Sequence, residues 1–136
     1  MVKQIWLNLP VKDVAKAREF FIKIGFSFND KHEKPECSCL LVGDNNFPVM
    51  LFQEEVFEEF TKSKSTDTKQ SAEVCISIDA QSKEDVDTMT EKARNAGGTI
   101  FAEPDEIQGW MYGSGFQDLD GHRWNILYMD MSKMPK

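Results

Sequence analysis

A chain of 136 residues with 40% hydrophobic content, three Trp and ten Phe is long enough for one domain with a true core, burying roughly two thirds of its unfolded surface. Its formal net charge of −7 and pI near 4.8 argue against a phosphate backbone as partner, so nucleic acid binding is not expected. No stretch approaches the ~20 apolar residues of a membrane span, and the opening residues carry no charged run followed by a long apolar one, so a cytoplasmic protein without membrane contact is expected.

Residues 3–9 alternate, with Ile5, Leu7 and Leu9 on one side and Trp6 and Asn8 on the other, which predicts a half-buried strand ended by Pro10. A helix follows. Val14, Ala17, Phe21 and Ile24 line one helical face, Asp13 stands where an N-cap is needed, and Gly25 suits the left-handed position past the C-terminus. Residues 26–29 read as the start of a strand and 30–36 as a charged loop. Residues 37–42 and 47–53 read as two strands joined by the turn Gly43-Asp-Asn-Asn46, whose residues accept positive φ. The first module is therefore βαβββ and covers residues 1–53.

Residues 54–71 form a linker, in which Val56, Phe57 and Phe60 suit one short helix and the remainder is polar. A second module covers 72–130. It opens on a strand over 73–79, where Val74, Ile76 and Ile78 alternate with Glu73, Cys75 and Ser77. Ser82, with Asp85 three residues on, resembles a capping box with the shorter acid. Its helix repeats the first: Val86, Met89, Ala93, Ala96 and Gly97 follow Val14, Ala17, Phe21, Ile24 and Gly25 at a constant distance of 72 residues. Strands are predicted over 99–102, ahead of Pro104, and over 110–117 and 122–129, the last two joined by Asp118-Leu-Asp-Gly121, a hairpin signal. Residues 130–136 read as a frayed tail. The chain is an internal duplication of the α+β class.

Alternation assigns faces. Ile5/Leu7/Leu9, Val74/Ile76/Ile78 and Trp124/Ile126/Tyr128 are natural floors for the two helices, which leaves Trp6, Asn8, Glu73, Cys75, Ser77, Arg123 and Asn125 on the uncovered side. That side is mixed in polarity, as a cavity or an interface would be. Three cysteines give no disulfide framework, and Cys37-x-Cys39 lacks the second pair of a zinc site, so small apolar strand residues are the favoured reading over metal or redox work. His32, in the charged loop, and His122, on the floor side, read as surface and structural residues.

Paired βαβββ units carrying Leu9-Pro-Val-Lys-Asp-Val14, Ile24-Gly-Phe26, Ala96-Gly-Gly98, Met111-Tyr-Gly-Ser-Gly-Phe116 and Asp118-Leu-Asp-Gly-His-Arg-Trp124 resemble the vicinal oxygen chelate superfamily. That group includes glyoxalase I, bleomycin resistance proteins, fosfomycin resistance enzymes and extradiol dioxygenases, and the likeness is to its bacterial glyoxalase-like branch. The resemblance implies a single domain in which a mixed sheet curls around a cup with the helices outside. It also implies frequent dimers, some of which exchange modules.

In metal-dependent members of that superfamily four cup positions, on the first, fourth, fifth and eighth strands, usually hold His, Glu, His and Glu. Placed by the local motifs, these fall at Trp6, at Leu51 with Gln53 the nearest polar residue, at Glu73 and at Asn125. That set cannot make a glyoxalase metal site, so no cofactor is expected, and a divalent metal would require a different register. Asn125 also cannot take a proton, which removes the family's eighth-strand base.

Three readings follow. In the first the cup binds a small organic molecule without a metal, Trp6, Tyr112 and Phe116 giving stacking area, Asn8, Arg123 and Asn125 orienting the ligand, and Leu51 and Gln53 completing the lining. In the second the chain is a lactoylglutathione lyase-like enzyme acting on a hemithioacetal or related carbonyl compound. Glu73 is then the general base, favoured by partial burial beside apolar residues; an ion pair between Glu73 and Arg123 is the competing role. In the third the uncovered face serves homodimerisation with no ligand, the stretch 61–71 giving reach for module exchange.

Overall fold

The computed structural model describes residues 1–135 and, His32 apart, their side chains. Two compact units form, Met1–Asp67 and Thr68–Lys136. The first contains β1 (Leu7–Val11), α1 (Val14–Lys23), β2 (Ser27–Phe28), β3 (Cys37–Val42), β4 (Phe47–Gln53) and α2 (Glu54–Thr61). The second contains β5 (Cys75–Asp79), α3 (Lys83–Asn95), β6 (Thr99–Ile107), β7 (Met111–Gln117) and β8 (Arg123–Met129). The fold is α+β, two βαβββ modules each with its own four-stranded sheet, ordered β1-β4-β3-β2 and β5-β8-β7-β6. In both sheets the first strand lies parallel to the last of its module, and the other pairs are antiparallel.

The two helices begin and end for the same local reasons. The Asp13 carboxylate accepts from the Lys16 N–H at 3.1 Å and the Ser82 hydroxyl from the Asp85 N–H at 3.0 Å, satisfying donors that a helix start leaves open. Asp85 in turn accepts from the Gln81 N–H at 3.0 Å, one residue ahead of the N-cap that a capping box would engage. At the other end Gly25 and Gly97 stand at φ 106° and 105°, a left-handed conformation that suits a residue without Cβ. The turn then closes with Phe26 N–H donating to Phe21 O and Gly98 N–H to Ala93 O, both at 2.9 Å.

Helices α1 and α3 each bury one stripe on one side of their own module's sheet. Val14, Ala17, Phe20, Phe21 and Ile24 meet Leu9, Val11, Leu40, Val49 and Leu51 in the first core. Val86, Thr90 and Ala93 meet Phe116, Trp124 and Ile126 in the second. Phe116 and Trp124 stack at 6.1 Å with planes 5° apart.

Several sequence expectations are corrected. β1 starts at Leu7 and runs through Pro10 to Val11, because it is an edge strand and the missing N–H of a proline is tolerated there. Ile5 and Trp6 precede it and are exposed. β5 starts at Cys75, so Glu73 and Val74 also lie outside the ladder. β6 continues past Pro104 to Ile107, again on an edge, with register shifts that absorb the irregularity. The short helix expected in the linker is present: α2 spans Glu54–Thr61 and seats Phe60 against Phe52 at 5.1 Å. After β8 the chain makes a 3-10 turn, Met131–Lys133, capped by Asp130, rather than fraying at once.

Candidate functional site

Hydrogen bonds from the helices identify the covered side of each sheet. In the first module Arg18 of α1 reaches Ser38 at 3.4 Å, and Ser38 pairs with Leu51, which is fully buried. Leu51 therefore belongs to the floor beneath α1, and Gln53, of the same parity, shares that side of β4. The expected lining by Leu51 and Gln53 is corrected accordingly. The side away from α1 carries Asn8, Met50 and Cys39 in one cross-strand row, and Pro10, Phe52 and Cys37 in the next.

In that first row the Asn8 side-chain oxygen is buried and has no hydrogen-bond partner among the described residues. An unsatisfied amide oxygen of this kind costs about 1–3 kcal/mol, so a donor brought to it is favoured. Around it the chemistry is soft and apolar. Cys37 and Cys39 are both buried, and burial raises both thiols above the ordinary range, which keeps them protonated at neutral pH and unreactive.

In the second module the Thr90 and Ser114 hydroxyls meet at 2.7 Å, and the Tyr112 hydroxyl donates to Asp87 of α3 at 2.7 Å. Tyr112, Ser114 and Phe116 thus face the helix. The hydrogen bond to Asp87 is the main reason that the Tyr112 hydroxyl is pushed up to about 12. The stacking area expected from Tyr112 and Phe116 is accordingly not on the uncovered side: one is tied to α3 and the other is fully buried against Trp124.

What the uncovered side does carry comes from the other parity. Cys75, Arg123 and Gln117 form one row, Ser77, Asn125 and Gly115 the next, and Asp79, Leu127 and Gly113 a third. In β6, Ile100 pairs with the floor residue Phe116, so Phe101 beside it lies on this side, at a register shift that follows Ile100. Its ring lies where a Cβ on Gly115 would stand, 2.3 Å from that position, so the glycine is what admits the ring. The Arg123 guanidinium stacks on the same ring, 4.5 Å from its centroid. Phe101 is a site residue that the sequence did not disclose.

The ion pair expected between Glu73 and Arg123 does not form among the described residues, and Glu73 is exposed two residues ahead of β5. The residues placed at the four metal positions do not fit a metal: Trp6 is an exposed indole before β1, Leu51 is a buried alkyl group facing α1, and Asn125 is an amide. Among the described residues no three of His, Cys, Asp and Glu come together as ligands. The His32 side chain lies outside the described residues, and His122 lies next to β8, its N–H donating to Asp118 at 3.0 Å.

Paired βαβββ modules, each with one side of its sheet beneath its own module's helix, define a class of protein, and comparison places it among known structures. The chain is 31% identical to a hypothetical protein, SA1046, of known structure from S. aureus, over 94% of both chains and with a TM-score of 0.84. A model of the bleomycin resistance protein-like N-terminal family matches residues 3–43. A glyoxalase/bleomycin resistance protein/dioxygenase family enzyme from Burkholderia phytofirmans matches over 91% of this chain and 96% of its own, at 19% identity and TM-score 0.78. The fosfomycin resistance protein FosX from Listeria monocytogenes matches over 97% of each chain, at 19% identity and TM-score 0.68. No curated protein matches significantly. The chain thus belongs with SA1046 from S. aureus and has the fold of the glyoxalase/bleomycin resistance protein/dioxygenase structures, its N-terminal part matching the bleomycin resistance protein-like family. No helix among the described residues is long and apolar enough to cross a membrane.

Proposed function

We propose that this chain is a small-molecule-binding member of its family that holds its ligand without the family's metal set, in the cytoplasm. The observation that carries the reading is the buried, unpartnered amide oxygen of Asn8 on the side of its sheet away from α1, in a row with Met50 and Cys39. Such a group is retained at a cost unless something donates to it. Within the second unit, taken by itself, Asn125 on the uncovered side of its sheet likewise has no side-chain partner among the described residues.

The lyase reading has less support. Glu73 is exposed, so the desolvation that would have favoured it as a base is missing, and no neighbouring cation is paired with it among the described residues. A homodimer has a specific support in the exposure of Ile5 and Trp6, and we include pairing of two chains in the proposal.

Thermal unfolding against a library of small organic molecules, with Ni²⁺ and Zn²⁺ alongside, tests the reading. A ligand present at one hundred times its Kd stabilises by about 2.7 kcal/mol, a shift of several degrees for a chain of this size. Organic ligands that raise Tm in wild type and less in Asn8→Leu are the expected result, with no saturable rise from either metal. A metal that stabilises the protein at one equivalent, or a library without a single hit, would sink the proposal.

A further inference from the structure

The chain has three arginines among 23 carboxylate side chains. Two of them are used structurally: Arg18 pairs with Asp30 at 2.7 Å and Glu33 at 2.9 Å, and Arg94 with Glu91 at 3.2 Å and Glu103 at 2.6 Å. Arg123 has neither an ion pair nor a side-chain hydrogen bond among the described residues, although it is partly buried and the chain has a net charge of −7. A guanidinium in that position is held by something other than a carboxylate, and the structure shows what: the face of Phe101, which β6 presents over Gly115. Stacking fixes the plane of the fork and leaves its N–H donors open. Gln117 stands opposite Arg123 on β7, and Ser77 and Asn125 occupy the adjoining row, so neutral hydrogen-bonding groups surround the charge and no acid answers it in either row.

We propose that this face of the second module receives the oxyanion of a small organic molecule, a carboxylate or phosphate, on the Arg123 fork, with Asn125, Ser77 and Gln117 hydrogen-bonding the same ligand. A planar guanidinium matches two oxygens of either group, and such charge-assisted pairs are about twice as strong as neutral ones. Phe101, seated over Gly115, supplies a ring beside the charge, and Leu127 fills the space over Gly113. The proposal rests on the small-molecule reading and narrows it to anionic ligands.

The test is a titration followed by amide resonances of the whole chain, using benzoate, phenyl phosphate and the neutral benzamide as probes. Either anion, or both, should move the resonances of Ser77, Gln117, Arg123 and Asn125 at low millimolar concentration, and benzamide should bind roughly tenfold more weakly. The phosphate and carboxylate arms show which oxyanion is preferred. Arg123→Met should lower the affinity for the anions at least tenfold and leave that for benzamide unchanged, whereas Arg123→Lys, which keeps charge without the fork, should fall between. Phe101→Leu, a change on an exposed ring, should weaken anion binding several-fold by freeing the guanidinium. Equal binding of benzamide and benzoate at these residues overturns the oxyanion assignment while leaving the small-molecule reading intact. So does wild-type affinity in Arg123→Met, or movement of none of the four resonances. The library screen judges the broader reading separately.

Discussion

Asp118 is a buried carboxyl group whose ionisation is linked to folding. Its side chain is buried and accepts from the Asp120 and His122 N–H groups, each at 3.0 Å, and from the Trp124 indole at 3.2 Å, so one carboxyl group closes the β7–β8 turn and anchors the central tryptophan. Burial outweighs these donors and raises the group from 3.8 to about 6. A carboxyl whose folded value lies above its unfolded one makes its full stabilising contribution below about pH 3.8 and loses it as pH rises through about 6. The loss is on the order of 3 kcal/mol at ~1.4 kcal/mol per pH unit. Asn at this position cannot titrate, so the stability of wild type minus that of Asp118→Asn should fall by about that amount between pH 4 and pH 7. Urea unfolding of both proteins across that range measures it, the other carboxylates cancelling in the difference. A difference that stays flat would mean that the buried group does not change its charge.

Among the elements, the helices were legible and the strand parities only in part. Val14, Ala17, Phe21 and Ile24, their counterparts 72 residues on, and the caps at Asp13 and Ser82 are local features, and local hydrogen bonding realises them. Replacing Asp13 or Ser82 with Ala should therefore cost about 1 kcal/mol each, and the pair should sum to about 2 because the caps share no partner. Denaturant midpoints at constant slope are the check, and a double variant no worse than either single one would show that the two helices do not end their modules' cooperative units alike. The bounds of β4 were legible but its parity was not, since Phe47-Pro-Val-Met-Leu-Phe is apolar on both faces and alternation gives no parity; only the pairing of Leu51 with Ser38 and the reach of Arg18 to Ser38 place Leu51 under α1. The aromatics of β7 could have been placed from sequence. Counting outward from the Asp118–Gly121 turn sets Phe116 opposite Trp124 and Tyr112 opposite Tyr128, on the floor. Phe101 left less trace, because its place over Gly115 depends on the pairing of β6 with β7, across which the register shifts.

For the molecule as a whole, charge and apolar exposure point in different directions. A net charge of −7 favours solubility and separates chains at long range, but Ile5 and Trp6 stand 73% and 53% exposed in the extended stretch ahead of β1. That stretch was expected to lie in the strand, where alternation would have hidden Ile5 with Leu7 and Leu9; the ladder begins at Leu7 instead, and nothing in the described chain covers the pair. At ~25 cal/mol per Å² an isoleucine and an indole taken out of water contribute about 3–5 kcal/mol per chain, twice over in a symmetric pair, enough to matter against the entropy of association. Light scattering at micromolar concentration should accordingly give twice the 15.6 kDa of one chain. Ile5→Lys combined with Trp6→Ala should return the monomer with unchanged circular dichroism, because neither residue belongs to a sheet or to a core. Raising the ionic strength should strengthen the dimer by screening the like charge of the two chains, the opposite of what a dimer held by ion pairs would do. A wild-type chain that scatters as 15.6 kDa at every salt concentration would leave Ile5 and Trp6 as ordinary exposed apolar residues and remove pairing from the proposed function.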